Sequence, residues 1–255
     1  RWLLAQFTAP GFNGVCVAIS QTPDPTGAYF GYEFLTPNFP DYLKFGVWPD
    51  GYYMSTNEST YAAYAFDRNR MLSGLSSISI RFDGVSNFMM PSDLDGKTPP
   101  PPGSPNYFYT FKDDLFHGGT DRLEIREFDV DFVTPANSTF ILTDSIDITP
   151  FTYTVCGFFN LDCIPQGGTA QKVDPVSEWP MFRFPYRNYG THEAMAGTFP
   201  IEGTQPDTGA VYWFELRNSP SGWTLRQQGK IDSNDGVSRW IGSIAMDAVG
   251  NLALG

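Results

Sequence analysis

Apolar and aromatic residues along this chain fall in short runs with a two-residue alternation, separated by clusters of Gly, Pro, Asn, Asp and Ser. That is the signature of strands joined by tight turns. It predicts strands over 2–7, 15–20, 28–34, 42–47, 51–56, 62–66, 77–82, 106–111, 123–132, 139–141, 181–186, 193–199, 211–217, 224–230, 240–246 and 251–254. A single helical turn is expected over 68–72, and no run shows a sustained 3.6-residue period. The pattern also recurs. Lys44-Phe45-Gly46-Val47-Trp48-Pro49-Asp50-Gly51-Tyr52-Tyr53-Met54 and Ile241-Gly242-Ser243-Ile244-Ala245-Met246-Asp247-Ala248-Val249-Gly250-Asn251-Leu252-Ala253-Leu254 both set an apolar strand, an Asp/Gly turn and a second apolar strand in series. Ala63-Tyr64-Ala65-Phe66-Asp67-Arg68 matches Val211-Tyr212-Trp213-Phe214-Glu215-Leu216-Arg217, and Arg1-Trp2 matches Arg239-Trp240.

Grouped by these phrases, the strands make about five units, over 1–36, 40–83, 86–150, 179–231 and from 238 onward. Repeated four-stranded units of about 40–50 residues, unable to bury a face alone, imply a β-propeller, here as about five blades of what reads as a larger ring. A pair of β-sandwiches divided near residue 150 is the alternative all-β reading. Two long loops interrupt the series, near 91–105 and 149–178. The first carries Pro99–Pro102, which cannot enter a sheet ladder and reads as an extended surface crossing. The chain opens and closes directly on strands and is read as part of a longer polypeptide.

Composition narrows the function classes. Of 255 residues, 41% are hydrophobic and 17% charged, so a packed core is readily supplied. The net charge of -12 comes without any Lys/Arg cluster, which argues against phosphate backbones and anionic membrane surfaces as partners. No apolar run approaches the ~20 residues of a membrane-spanning helix, so no membrane insertion is expected. Cys156 and Cys163 flank a polar-tipped loop and are expected to be bonded, while Cys16, inside Val15-Cys16-Val17, reads as a buried strand thiol. That pairing fits a chain that reads as secreted or at a cell surface, where disulfides persist.

The runs Gln21-Thr22-Pro23-Asp24-Pro25-Thr26-Gly27-Ala28-Tyr29, Phe39-Pro40-Asp41-Tyr42-Leu43-Lys44-Phe45-Gly46-Val47-Trp48-Pro49-Asp50 and Tyr186-Arg187-Asn188-Tyr189-Gly190-Thr191-His192-Glu193 resemble phrases of large secreted bacterial repeat proteins of β-propeller type, some described as sialidase-like. The resemblance implies the propeller fold and an extracellular setting, and assigns no activity. The sialidase Asp-box is absent in its usual form: Ser219-Pro220-Ser221-Gly222-Trp223-Thr224 lacks the Asp.

Candidate chemistry is sparse. Arg183, Arg187, Asn188, His192 and Glu193 lie within eleven positions. On a strand, Arg183 and Arg187 share a face, where two guanidinium groups would clamp a carboxylate or sulfate, with His192 and Glu193 as an acid–base pair. The competing reading is structural ion pairing with some of the 28 acidic residues. His117 sits alone in a Gly-rich loop. Asp93, Asp95, Asp232 and Asp235 offer hard oxygens in turns for a structural calcium, although no twelve-residue calcium loop is present and such Asp/Gly turns form without ions. Two functions follow: an extracellular or cell-surface binding or scaffold module engaging glycan or protein, or a hydrolase or lyase on an anionic polysaccharide. Whether the chain is an enzyme, and its oligomeric state, are left open by the sequence.

Overall fold

A computed structural model describes residues 1–9, 11–85, 88–158 and 160–255. The protein is all-β. Strands β1 (Leu3–Phe7), β2 (Gly14–Ser20) and β3 (Tyr29–Leu35) form an antiparallel three-stranded sheet. The next four, β4 (Asp41–Val47), β5 (Gly51–Asn57), β6 (Tyr61–Asp67) and β7 (Ser79–Val85), form a four-stranded meander. Helix α1 (Arg68–Leu72) stands between β6 and β7 where the helical turn is expected, its first turn capped by the Asp67 carboxylate accepting from the Arg70 N–H.

Two further meanders follow. One is β8 (Met90–Asp95), β9 (Asn106–Lys112), β10 (Arg122–Asp129) and β11 (Thr139–Asp147), with helix α2 (Asp114–His117) after β9. After the short ribbon of β12 (Ile164–Pro165) and β13 (Lys172–Val173) comes β14 (Phe184–Asn188), β15 (Glu193–Glu202), β16 (Gly209–Ser219) and β17 (Gly222–Ile231). Their leading strands β8 and β14 pair in parallel, Ser92 opposite Phe184 and Asp95 opposite Arg187, which fuses the two into one curled eight-stranded sheet. A last hairpin joins β18 (Ile244–Met246) to β19 (Leu252–Leu254).

The sheets stack face to face, and β6 shows how the sequence directs this. Its Ala62, Tyr64 and Phe66 join Tyr52, Met54 and the three-stranded sheet's Val15, Val17, Ile19 and Phe34 in one core. Its Ala63 and Ala65 face the other way, into a core with Phe108 and Phe128. A strand buried on both sides reads as a continuous apolar run, as this one does. The opposite face of β9 repeats the arrangement with Phe111 stacked on Phe199 at 4.0 Å and Tyr109 edge-on to Phe214 at 5.1 Å. Ala194 and Ala196 on β15 then receive Ile244 and Met246 of the last hairpin.

The recurring phrases occupy matching places. Both Asp/Gly phrases are hairpins: Val47 pairs with Tyr52 and Met246 with Leu252 across their turns. The Tyr-x-Phe phrases are β6 and β16, each the third strand of its meander.

Several places differ from the sequence reading: residues 181–183 and 240–243, expected in strands, lie outside β14 and β18, and the expected loop over 149–178 holds the β12–β13 ribbon. Residues 91–95, expected in a loop, belong to β8, because Pro91, Asp93 and Asp95 break the apolar pattern and the parallel partner β14 is remote in sequence. Strand β11 runs well past 141. Cys16 lies on β2 but on its half-buried face, between Gln6 and Glu33 of the flanking strands, so alternation turns it away from the core. Cys156 and Cys163 are bonded as expected, their Cα atoms 5.9 Å apart.

Candidate functional site

The leading strands β8 and β14 pair in parallel, with β4 packed along β8 and β18 beside β14. Ser55 Oγ of β5, opposite Lys44 of β4, donates to the Met89 carbonyl, and the Val47 N–H of β4 donates to Asp93 Oδ1, which sets β4 along β8. Arg187 Nη2 donates to the Met246 carbonyl at 3.0 Å and Tyr189 Oη to that of Asp247, which sets β18 along β14. The loops that follow these strands therefore meet at one end of the molecule. There the proline segment is fastened down: Trp48 Nε1 donates to the Ser104 carbonyl and Asn188 Nδ2 to that of Pro99.

Beside this segment opens a cleft of about 360 Å³, lined by Pro101, Asn188, Thr191, His192, Glu193, Asn218 and Ser219. Three of the five sequence-selected residues line it. Glu193 begins β15 and is only 9% exposed. Its Oε2 accepts from Asn218 Nδ2 at 2.6 Å, while Oε1 is buried without a hydrogen-bond partner. The Tyr186 hydroxyl lies nearby, fully buried and likewise without a partner in hydrogen-bond geometry. Burial and the Glu193 carboxylate push its pKa far up, so the phenol keeps its proton. His192 is held below the ordinary histidine range by burial and by the Arg217 guanidinium, and its ring stacks on Tyr189 at 4.9 Å.

The two arginines go elsewhere. Arg183 Nε reaches Asp93 Oδ2 at 2.5 Å and its Nη2 reaches Asp95 Oδ1 at 2.8 Å, so one expected anion ligand is spent on two expected calcium ligands. Arg187 packs against β18 through the Met246 carbonyl, with Nε buried and unpartnered. Of the other acidic turn residues, Asp232 caps backbone N–H groups of Thr204 and Asn234. Asp235 is ion-paired with Arg239, which lowers its pKa to about 2.

A second cleft, of about 420 Å³, lies near α2 and is lined by Asp114, Asp121, Glu202 and Asp232 among others. The carboxylates of Asp113, Asp114 and Asp121 come within 4.8 Å of one another and could hold a cation. The sequence reading passed over this set, for which the Asp113-Asp114 doublet was the available signal. These groups already serve the fold: Asp113 caps α2 through the Leu115 and Phe116 N–H groups, and Asp121 accepts from Asp114 and Phe151. Burial raises Asp113 above the ordinary aspartate range, aided by the Asp121 charge. His117, on α2, has a buried Nδ1 without a partner and meets the Tyr153 ring edge-on. Comparison of the chain with family models, curated proteins and solved structures yields no match.

Proposed function

We propose that the chain is an arc of a β-propeller and acts outside the cytosol as a binding module for glycan, through the cleft at the shared end of its leading strands. Successive four-stranded antiparallel meanders, two of them joined in parallel through their leading strands β8 and β14, support the propeller reading. The Cys156–Cys163 bond supports the extracellular setting. The observation that carries the function is the cleft itself, where hydroxyl, amide and imidazole groups of Thr191, Ser219, Asn218 and His192 line one opening together with the Glu193 carboxylate. Such a lining suits a ligand rich in hydroxyl donors. An anionic polysaccharide fits less well, since Arg183 is neutralised by two aspartates and the cleft presents a carboxylate.

Glycan-array screening of the purified protein tests the reading, with a blocked variant beside it. Thr191 is exposed at the rim, so Thr191→Trp fills the cleft without entering the core. Binding to at least one glycan class is expected, with loss of at least tenfold in affinity in Thr191→Trp at an unchanged melting temperature. Absence of glycan binding, or binding indifferent to the tryptophan, rejects the assignment.

A further inference from the structure

A separate cleft of about 340 Å³ opens between Trp48, Pro49 and Asp50 of the β4–β5 turn and the segment 99–104. Both walls are pinned: Trp48 Nε1 donates to the Ser104 carbonyl at 3.0 Å, and Asn188 Nδ2 to that of Pro99 at 2.8 Å. The lining is apolar and poor in donors. Pro49 and Pro99–Pro102 carry no N–H. The Trp48 N–H is spent on the Gly51 carbonyl and the Ser104 N–H on that of Pro101. Asp50 is the one ionisable side chain in the lining. It is half-buried, accepts from Tyr53 Oη at 3.1 Å on Oδ1, and enters none of the ion pairs among the described residues. Burial raises its pKa above the ordinary aspartate range and the Asp129 charge adds to this, against the Tyr53 hydroxyl and the N–H groups of Asp50 and Gly51. The Arg68 guanidinium is turned to the Pro49 carbonyl at 3.1 Å and lies over the Tyr52 ring.

We propose that this cleft binds a small primary alkylammonium, its charged head at the Asp50 carboxylate and its apolar chain along the prolines of the 99–102 wall. The inference stands apart from the glycan reading. A site with apolar walls, one carboxylate and few donors selects a ligand that brings positive charge and its own donors on an apolar stem. A primary ammonium brings three donors and needs no acceptor fork. A guanidinium is matched less well, because Tyr53 already occupies one side of the Asp50 carboxylate that a bidentate pair would use. A peptide-borne lysine is also disfavoured, since the proline wall has no N–H to pair with peptide carbonyls. The pinned, stiff wall needs little ordering when the ligand enters.

NMR titration of the isotope-labelled protein at neutral pH and low salt gives affinity and location together, with n-pentylammonium, 1-pentanol, n-butylguanidinium and a lysine tetrapeptide as probes. The ammonium is expected to bind about tenfold or more tightly than the alcohol, the scale of a hydrogen bond to a charged group. It should move the amide signals of Asp50, Gly51, Gly103 and Ser104. Asp50→Asn keeps an Asn-Gly turn and should weaken the ammonium about tenfold at an unchanged melting temperature. Equal affinity for ammonium and alcohol, shifts confined to other regions, or indifference to Asp50→Asn overturns the site. Should Asp50→Asn lower the melting temperature, Pro102→Trp at an exposed position of the wall decides: lost binding supports the cleft, and retained affinity overturns it. Equal or tighter binding of n-butylguanidinium overturns the single ammonium head. Equal or tighter binding of the lysine tetrapeptide overturns a small molecule as the ligand.

Discussion

Lys44 sits on the leading strand β4 with its Nζ 3.4 Å from the centre of the Tyr42 ring, donating to the Leu43 carbonyl at 3.3 Å. Burial lowers its pKa to about 8, against the opposing pull of Asp41. The folded protein therefore releases this proton at lower pH than the unfolded chain, whose lysine titrates near the ordinary value of about 10.4. Between these two pKa values the unfolded state binds more protons, so stability rises with pH through that window. Below about pH 8 the charged ammonium is carried in both states and its burial cost is fully present. Urea denaturation at pH 7, 8.5 and 9.5 should show Lys44→Met more stable than the parent by about 1 kcal/mol at pH 7. The gap should close as pH rises. A gap that is constant with pH would assign the effect to packing against Tyr42 and not to charge.

At the scale of elements, the approach of β4 to β8 is the contact on which the stacking of the meanders turns. A Cβ on Gly46 would run into the Ser92 carbonyl oxygen, with Pro91 Cβ also close at 3.2 Å. The obstacle is backbone held in a ladder on both sides, so it cannot swing away as a flexible side chain would. Gly46→Ala should cost about 1–3 kcal/mol in chemical denaturation, the range for forced overpacking. Gly31→Ala on β3 is the control, since nothing lies within 4 Å of its added methyl. There the reduced freedom of the unfolded chain should leave stability unchanged or raised by about 0.5 kcal/mol. Equal losses at both positions would mean that strand propensity, not sheet contact, sets the cost.

Across the whole molecule the apolar clusters differ in reach. The largest runs from Tyr53 on β5 through Phe108 and Phe128 to Phe214 and Trp223, so the four-stranded meander and the eight-stranded sheet share one core. The disulfide lies in a separate small cluster of Val155, Cys163 and Ile164 with Val173 and Trp240 packed on it. Its loop closes over a separation of seven residues, for which the loop-entropy relation gives about 2.5 kcal/mol. Because this cluster stands apart, the loss should be largely local. In a Cys156→Ser/Cys163→Ser double variant, hydrogen exchange should accelerate over 154–158 and 160–173 while β9 and β16 keep their protection. Global acceleration would show that the loop braces the main core.

The sequence by itself determined the all-β class, most strand positions, the helical turn at α1 and the bonded pair Cys156–Cys163, because each depends on neighbours only a few positions apart. Alternation set the faces of β6, and Asp/Gly turns set the hairpins at Val47/Tyr52 and Met246/Leu252. Only the tertiary structure decided that 91–95 is a strand and that β8 pairs with β14, since parallel pairing joins segments remote in sequence and leaves no local period. The segment 183–193 was visible as a concentration of polar chemistry, but its division was not. Period two put Arg183 and Arg187 on one face, yet the partners Asp93, Asp95 and Met246 come from other strands. Glu193 could be found from sequence, whereas the Asn218 amide and the Tyr186 hydroxyl beside it could not. The charge state of a neighbourhood belongs to the side chains that folding assembles around it, here Tyr186 below, Asn218 alongside and Arg217 turned away to Glu215.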